Sequence, residues 1–235
     1  MSEFEISPAE KVIAIDGPNS TGKSCLARGL AEWLGVDVLN TGSIYRAIAF
    51  RVSQLDITPS QETAIVRLAE SLSFKFESGR VSAIDGDLIT VSDLDSMDDL
   101  VKRISHIPEL REIVRAYQRQ FAQNGLCIVE GRDIGVVVFP SAIFKVWLEC
   151  SVAMRAERMS RKYRRYVSTQ EVVERDRVDA SHGDGRLVKA EDALLLKSTY
   201  LLPHQLIAAV EAMMLNRDEL VPVVLEARRR NGSAT

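Results

Sequence analysis

Gly17-Pro18-Asn19-Ser20-Thr21-Gly22-Lys23-Ser24 decides how this chain is read. Ahead of it, Val12-Ile13-Ala14-Ile15 is a short apolar, largely β-branched run of the kind that forms a buried parallel strand. Behind it, Cys25-Leu26-Ala27, Leu30-Ala31 and Trp33-Leu34 recur at helical spacing. Strand, glycine loop, helix is the context that the pattern G-x-x-x-x-G-K-[ST] requires. Glycines let main-chain N–H groups turn inward around phosphate oxygens, and the helix N-terminus adds partial positive charge. The candidate phosphate ligands are Gly17, Asn19, Ser20, Thr21, Gly22, Lys23, Ser24 and Cys25. Lys23 reaches the β and γ phosphates and the Ser24 hydroxyl ligates Mg²⁺, which makes ATP with Mg²⁺ the implied cofactor. The alternative, an ordinary glycine-rich turn, matches four fixed positions in about one chain in a hundred of this length.

The chain has 235 residues, 46% of them apolar and 27% charged, with a net charge of −3. That is enough for one sizeable core with insertions, and the charge argues against a globally cationic nucleic-acid binder. No apolar run of about 18 residues occurs, and no basic N-terminus leads into an apolar stretch. The expectation is a cytoplasmic protein with neither membrane nor nucleic-acid partner. Cys25, Cys127 and Cys150 lie far apart and read as buried, reduced thiols. With only His106, His182 and His204, a metal cage is unsupported.

Beyond the first strand, loop and helix, strands are expected at Val36–Leu39, Leu126–Glu130, Ile143–Leu148 and Ala193–Leu196. Helices are expected from about Ser43 to the breaker near Asp56–Pro59, then over Glu62–Leu72, Leu94–Ile107, Leu110–Gln123, Val152–Tyr163, Thr169–Ala180 and Pro203–Leu215. Between them, Ser73–Glu77, Val81–Ile84 and Leu88–Val91, joined by Ser78-Gly79-Arg80 and Asp85-Gly86-Asp87, read as a small antiparallel meander. Residues 1–10 look like a frayed start, and at least part of 216–235 like a disordered tail. Strands separated by helices imply a parallel sheet that binds ligands beyond the carboxyl ends of its strands.

At that edge, Glu130-Gly131-Arg132-Asp133-Ile134-Gly135 follows a buried strand directly. A guanidinium there can grip a phosphate through two parallel hydrogen bonds, and a carboxylate can accept from an exocyclic amine. A turn closed by an internal Arg–Asp pair is an equal alternative. Tyr45-Arg46 carries the same ambiguity, since an arginine on a helix usually belongs to a solvated face.

Val12–Ser24, Asn40-Thr41-Gly42-Ser43-Ile44-Tyr45-Arg46-Ala47, and Val129–Gly135 with Val137-Val138-Phe139-Pro140 resemble bacterial cytidylate kinases. The similarity continues through Arg175-Asp176 and Asp179 to Asp192-Ala193-Leu194 and so covers nearly the whole chain. It implies an α/β P-loop kinase fold, with a parallel sheet flanked by helices, a small antiparallel β/α insertion and a short helical lid. The implied parts are a core at 10–64, 125–157 and 179–235, a monophosphate-binding insertion at 65–124 and a lid at 158–178. The implied enzyme is a monomer that transfers the γ-phosphoryl of ATP to CMP or dCMP. By position, the resemblance puts Arg46 and Arg132 on the acceptor phosphate, Asp133 and Arg111 toward the cytosine, and Arg175 and Asp179 on the sugar hydroxyls. Arg155, Arg158 and Arg161 become lid arginines, while Thr41, Tyr45, Lys102 and His182 fall at acceptor positions. Lys23, Arg132, Arg155 and Arg158 are the candidate catalytic residues; phosphoryl transfer needs alignment and positive charge, so no nucleophile or base is nominated.

The chain departs from the family at Asn40 in place of an aspartate, Lys102 in place of a serine, and His182 in place of a phosphate-binding arginine. Val136 replaces a threonine and Lys197 an aspartate. Two alternatives follow: a kinase of the same build acting on a modified nucleotide or other small metabolite, and a nucleotide-binding relative without transfer activity. The basic run Arg155, Arg158, Arg161, Lys162, Arg164 and Arg165 reads as lid arginines ahead of a solvated helix face or a nucleic-acid patch.

Overall fold

A computed structural model describes residues 11–181 and 187–230. The chain divides into two compact units, Met1–Val38 with Ala122–Thr235, and Leu39–Phe121. The expectations for residues 1–10, and for His182 among 182–186, lie outside the described residues.

The first unit is built on a five-stranded sheet in the order β2-β6-β1-β7-β8. Its strands are β1 (Val12–Asp16), β2 (Asp37–Asn40, along which the chain leaves the unit), β6 (Cys127–Gly131), β7 (Phe144–Glu149) and β8 (Leu194–Lys197). β1 runs parallel to both β6 and β7, with Asp16 opposite Gly131 and Trp147, and β7 runs parallel to β8. The apolar run in β1 is buried throughout, as a strand between two others must be. One sheet face packs Ile13, Ile15, Ile128, Phe144 and Val146 against α1 (Lys23–Leu34), α9 (Pro203–Leu215) and α10 (Val221–Arg230). Gly29 of α1 lies so close to Ile207 of α9 that a Cβ there would collide with it.

Within the tail 216–235, Val221–Arg230 form α10, whose Val224 and Ala227 are buried and whose Arg228 guanidinium lies 5.8 Å from the Trp33 ring centroid, while 231–235 lie outside the described residues. Val221, Val224 and Ala227 recur at helical spacing, a pattern too short beside three arginines to stand out in the sequence. α7 (Val152–Tyr163) and α8 (Thr169–Ser181) enclose a small apolar cluster of Ala156, Met159, Val167 and Val172.

The second unit opens with α2 (Thr41–Gln54) and α3 (Glu62–Ser71), followed by an antiparallel sheet of β3 (Phe74–Glu77), β4 (Arg80–Ile84) and β5 (Asp87–Leu88). The third strand is shorter than the expected Leu88–Val91, because Thr90 and Asp93 form a capping box that starts α4 (Val91–Asp95). The single helix expected over Leu94–Ile107 is divided between α4 and α5 (Asp98–Ile104). Pro108 then opens α6 (Pro108–Ala122), a position where its missing N–H costs nothing. Phe74 and Phe76 of β3 stack edge-on against Tyr117 and Phe121 of α6.

Candidate active site

Three residues of the glycine loop have positive φ: Gly17 (147°), Ser20 (62°) and Gly22 (104°). Position 17 admits no side chain, since a Cβ would collide with the Leu148 carbonyl oxygen. Three of the loop's carbonyls have partners from α7 and from Ser198. Arg155 Nε donates to Asn19 O (2.6 Å), and Arg158 Nη1 to Ser20 O (3.3 Å) and Thr21 O (3.2 Å). Ser198 Oγ also donates to Thr21 O at 2.6 Å. Within a planar trans peptide the carbonyl of one residue and the N–H of the next point in opposite directions. Bonding the carbonyls of Asn19, Ser20 and Thr21 to Arg155, Arg158 and Ser198 therefore turns the N–H groups of Ser20, Thr21 and Gly22 away from those partners. This is the donor arrangement that a phosphate cradle needs.

Lys23, the first residue of α1, reaches back across the loop, its Nζ donating to Gly17 O and Pro18 O at 2.8 Å each. Desolvation lowers its pKa to about 8 against the opposing pull of Glu130 and Asp16, while Arg132 and Arg155 push the same way as desolvation. These groups converge on one ammonium. Ser24 follows on the same first turn, where a hydroxyl beside the loop's N–H groups suits a hard cation with oxygen ligands. The residues present thus fit Mg²⁺ accompanying a triphosphate. Among the described residues no group of three or more His, Cys, Asp or Glu side chains is placed to hold a metal by protein ligands alone.

Arg155 and Arg158 stand on α7 and serve the loop's backbone in this structure. Arg155 is almost fully buried and makes a bidentate pair with Asp176 of α8 (2.6 Å for each bond). Arg158 Nη2 adds a bond to Ser198 O at 3.0 Å. Arg161 is exposed and pairs with Glu157. At the end of β6, Glu130 and Asp133 are buried, and Arg132 pairs with Asp179 at 2.5 Å. Arg175 Nη1 lies 3.4 Å from the Tyr163 hydroxyl. The first unit therefore brings together the loop, Lys23, Glu130, Arg132, Asp133 and the α7 and α8 residues. Val136 and Lys197 are exposed.

The remaining nominees among the described residues belong to the second unit. Thr41 Oγ1 accepts from Gln118 Nε2 at 2.8 Å, and Arg46 Nε donates to Asp98 Oδ1 at 2.8 Å. Tyr45 is half-buried on α2, Arg111 Nη1 donates to Ser105 O (3.1 Å), and Lys102 pairs with Asp99 on an exposed face. Asn40 caps α2, its Oδ1 accepting from Ser43 N at 3.0 Å. Asparagine and aspartate cap equally well, so the substitution at this position keeps the local structure.

Sequence reasoning missed Ser198 and Asp16. Asp16 had a visible signal, an acid ending a strand otherwise apolar; Ser198 had none. The thiols were expected buried, but only Cys127 is, its pKa pushed up to about 12 by burial, whereas Cys25 and Cys150 are half-exposed. Among the described residues no helix is long and apolar enough to cross a membrane.

The family model described as "Cytidylate kinase" matches residues 13–216. A cytidylate kinase of Marinomonas sp. (strain MWYL1) is 33% identical over 213 residues, covering 86% of this chain and 94% of the relative. That of Streptococcus gordonii is 35% identical over 211 residues (85% and 94%), and that of Chlamydia pneumoniae 33% identical over 220 residues (89% and 100%). A glycine loop directly after β1, an arginine and two carboxylates at the end of β6, and similarity across most of the chain agree: this chain belongs to the cytidylate kinase family.

Proposed function

We propose that this phosphotransferase moves the γ-phosphoryl group of ATP to the phosphate of CMP or dCMP, forming ADP and the nucleoside diphosphate. The observation that carries the reading is the glycine loop, with three consecutive carbonyls bonded by Arg155 and Arg158 and Lys23 lying across it. In the reaction an oxygen of the acceptor's phosphate forms the new P–O bond as the bond from the γ-phosphorus to the bridging oxygen breaks, and ADP leaves with that electron pair. The acceptor phosphate is already a nucleophilic anion, so no protein base is needed. Lys23 and the loop amides hold the triphosphate, and Arg132 steadies the acceptor phosphate. The Ser24 hydroxyl would hold Mg²⁺, which would supply charge neutralisation of the triphosphate.

Asp133 and Arg111 read the cytosine, Arg175 and Asp179 the sugar, and Thr41, Tyr45, Arg46, Lys102 and His182 complete the acceptor side. The segment 65–124 acts as the monophosphate-binding insertion and 158–178 as the lid, in a cytoplasmic monomer acting on small-molecule nucleotides. Arg155 and Arg158 contribute to catalysis by holding the loop open to phosphate. Release of ADP from Mg·ATP with each common nucleoside monophosphate tests the reading. CMP and dCMP should be the fastest acceptors. Turnover confined to another acceptor would replace the substrate, and ATP binding without acceptor-dependent ADP release would replace the reaction.

A further inference from the structure

Asp16 is the last residue of β1, one position before the glycine loop, and is almost fully buried. Its Oδ1 accepts from the N–H of Ile134 (2.9 Å) and its Oδ2 from the N–H of Gly135 (2.7 Å), residues 118 and 119 positions away. These two amides open the π-helical turn Ile134–Val138, where helical N–H groups lack a partner within the turn. Asp133 stands at the capping position but makes no side-chain cap bond, so a residue from another strand fills that place. The β1–β6 ladder ends at Asp16 opposite Gly131, and Arg132 and Asp133 lie beyond it. The Asp16 carboxylate carries the connection past the end of the ladder.

We propose that Asp16 is a positioning residue for phosphoryl transfer: its carboxylate ties the segment bearing Arg132 and Asp133 to the first residue of the phosphate loop. Each of its oxygens accepts from a backbone donor of that segment, which directs its action through Arg132. Burial holds the Asp16 pKa near 7, against the lowering effect of both amide bonds and of Lys23. The inference rests on the phosphotransfer reading above. Alignment of donor and acceptor phosphates is the main lever in such a reaction, and displacement by about 1 Å costs on the order of a hundredfold.

Asp16→Asn keeps one acceptor oxygen and sets an NH₂ against a donor. With a wild-type control turning over CMP, this variant should bind a non-hydrolysable ATP analogue within about threefold of wild type. Its kcat at saturating CMP should fall by about ten- to a hundredfold. A kcat within twofold of wild type overturns the proposal, as does parallel loss of ATP-analogue affinity and kcat, which would assign Asp16 to the loop alone. An inactive wild type would instead sink the phosphotransfer reading. If the variant does not fold, the wild-type protein decides by NMR. The Ile134 and Gly135 amide resonances should titrate together with the Asp16 carboxyl carbon, which distinguishes it from Lys23, Asp133 and Lys145 nearby. Amides that do not follow that carbon overturn the tie.

Discussion

Arg155 and Lys23 of the first unit and Lys102 of the second are held in opposite ways. The two around the phosphate loop are enclosed: the Arg155 side chain is 3% exposed against Asp176, and Lys23 lies over its own loop. In the second unit Lys102 is 49% exposed and its partner Asp99 93% exposed, with Arg46 and Asp98 between these extremes. A buried pair has already lost its hydration, so removing one member leaves a charge that nothing solvates. An exposed pair exchanges its partner for water at almost no cost. The donor-side scaffold is therefore preorganised, and its arginines maintain the loop's shape. The exposed pair in the second unit can trade its carboxylate for a ligand.

The largest break in this contrast is Lys23→Ala. It should lower turnover by roughly a thousandfold or more, read as ADP release. The melting temperature should be unchanged or slightly higher, because a desolvated ammonium is removed. Asp176→Asn comes next. It strands the Arg155 guanidinium and should cost about 3 kcal/mol of stability, seen by calorimetry as a melting temperature lowered by roughly 6–12 °C.

A third measurement sharpens the picture of Lys23. In the free protein its pKa is about 8, and a bound triphosphate raises it. Above pH 8 the free form is neutral and the bound form charged, so binding takes up a proton. The affinity for an ATP analogue should then fall by up to about tenfold per pH unit between pH 8 and 10, and titration calorimetry in buffers of different ionisation enthalpy should show uptake approaching one proton. Below pH 8 this dependence should vanish. The smallest effect is expected at the exposed pair: Lys102→Ala should change stability by less than about 0.5 kcal/mol in chemical denaturation. Any effect on turnover should appear in the acceptor KM and not in kcat.

Much of the architecture was legible because its causes are local. The β-branched run before Gly17, the helical spacing after Lys23 and the turn signals at Ser78-Gly79 and Asp85-Gly86 each act within a few residues. The misreadings came where two local signals competed, as at Thr90, where a strand pattern met a capping box. At the C-terminus, Val221, Val224 and Ala227 acquire meaning only as a face packed on the first unit's core. Among the site residues, chemistry was legible and partnership was not. Arg155 could be read as a cation near ATP, but nothing local said that its partners would be Asn19 O and Asp176.

The sequence by itself determined that a strand, a glycine loop and a helix would follow one another, since glycine's conformational freedom and hydrophobic periodicity operate over one or two turns of chain. Only the tertiary structure decided which way the loop's amides face and what Asp16 holds. Those outcomes depend on side chains from α7, on Ser198 just after β8 and on backbone N–H groups of the turn after β6, brought near the loop by the parallel pairing of β1, β6, β7 and β8. Contacts between residues more than a hundred positions apart leave no periodic trace, so packing alone assigns them.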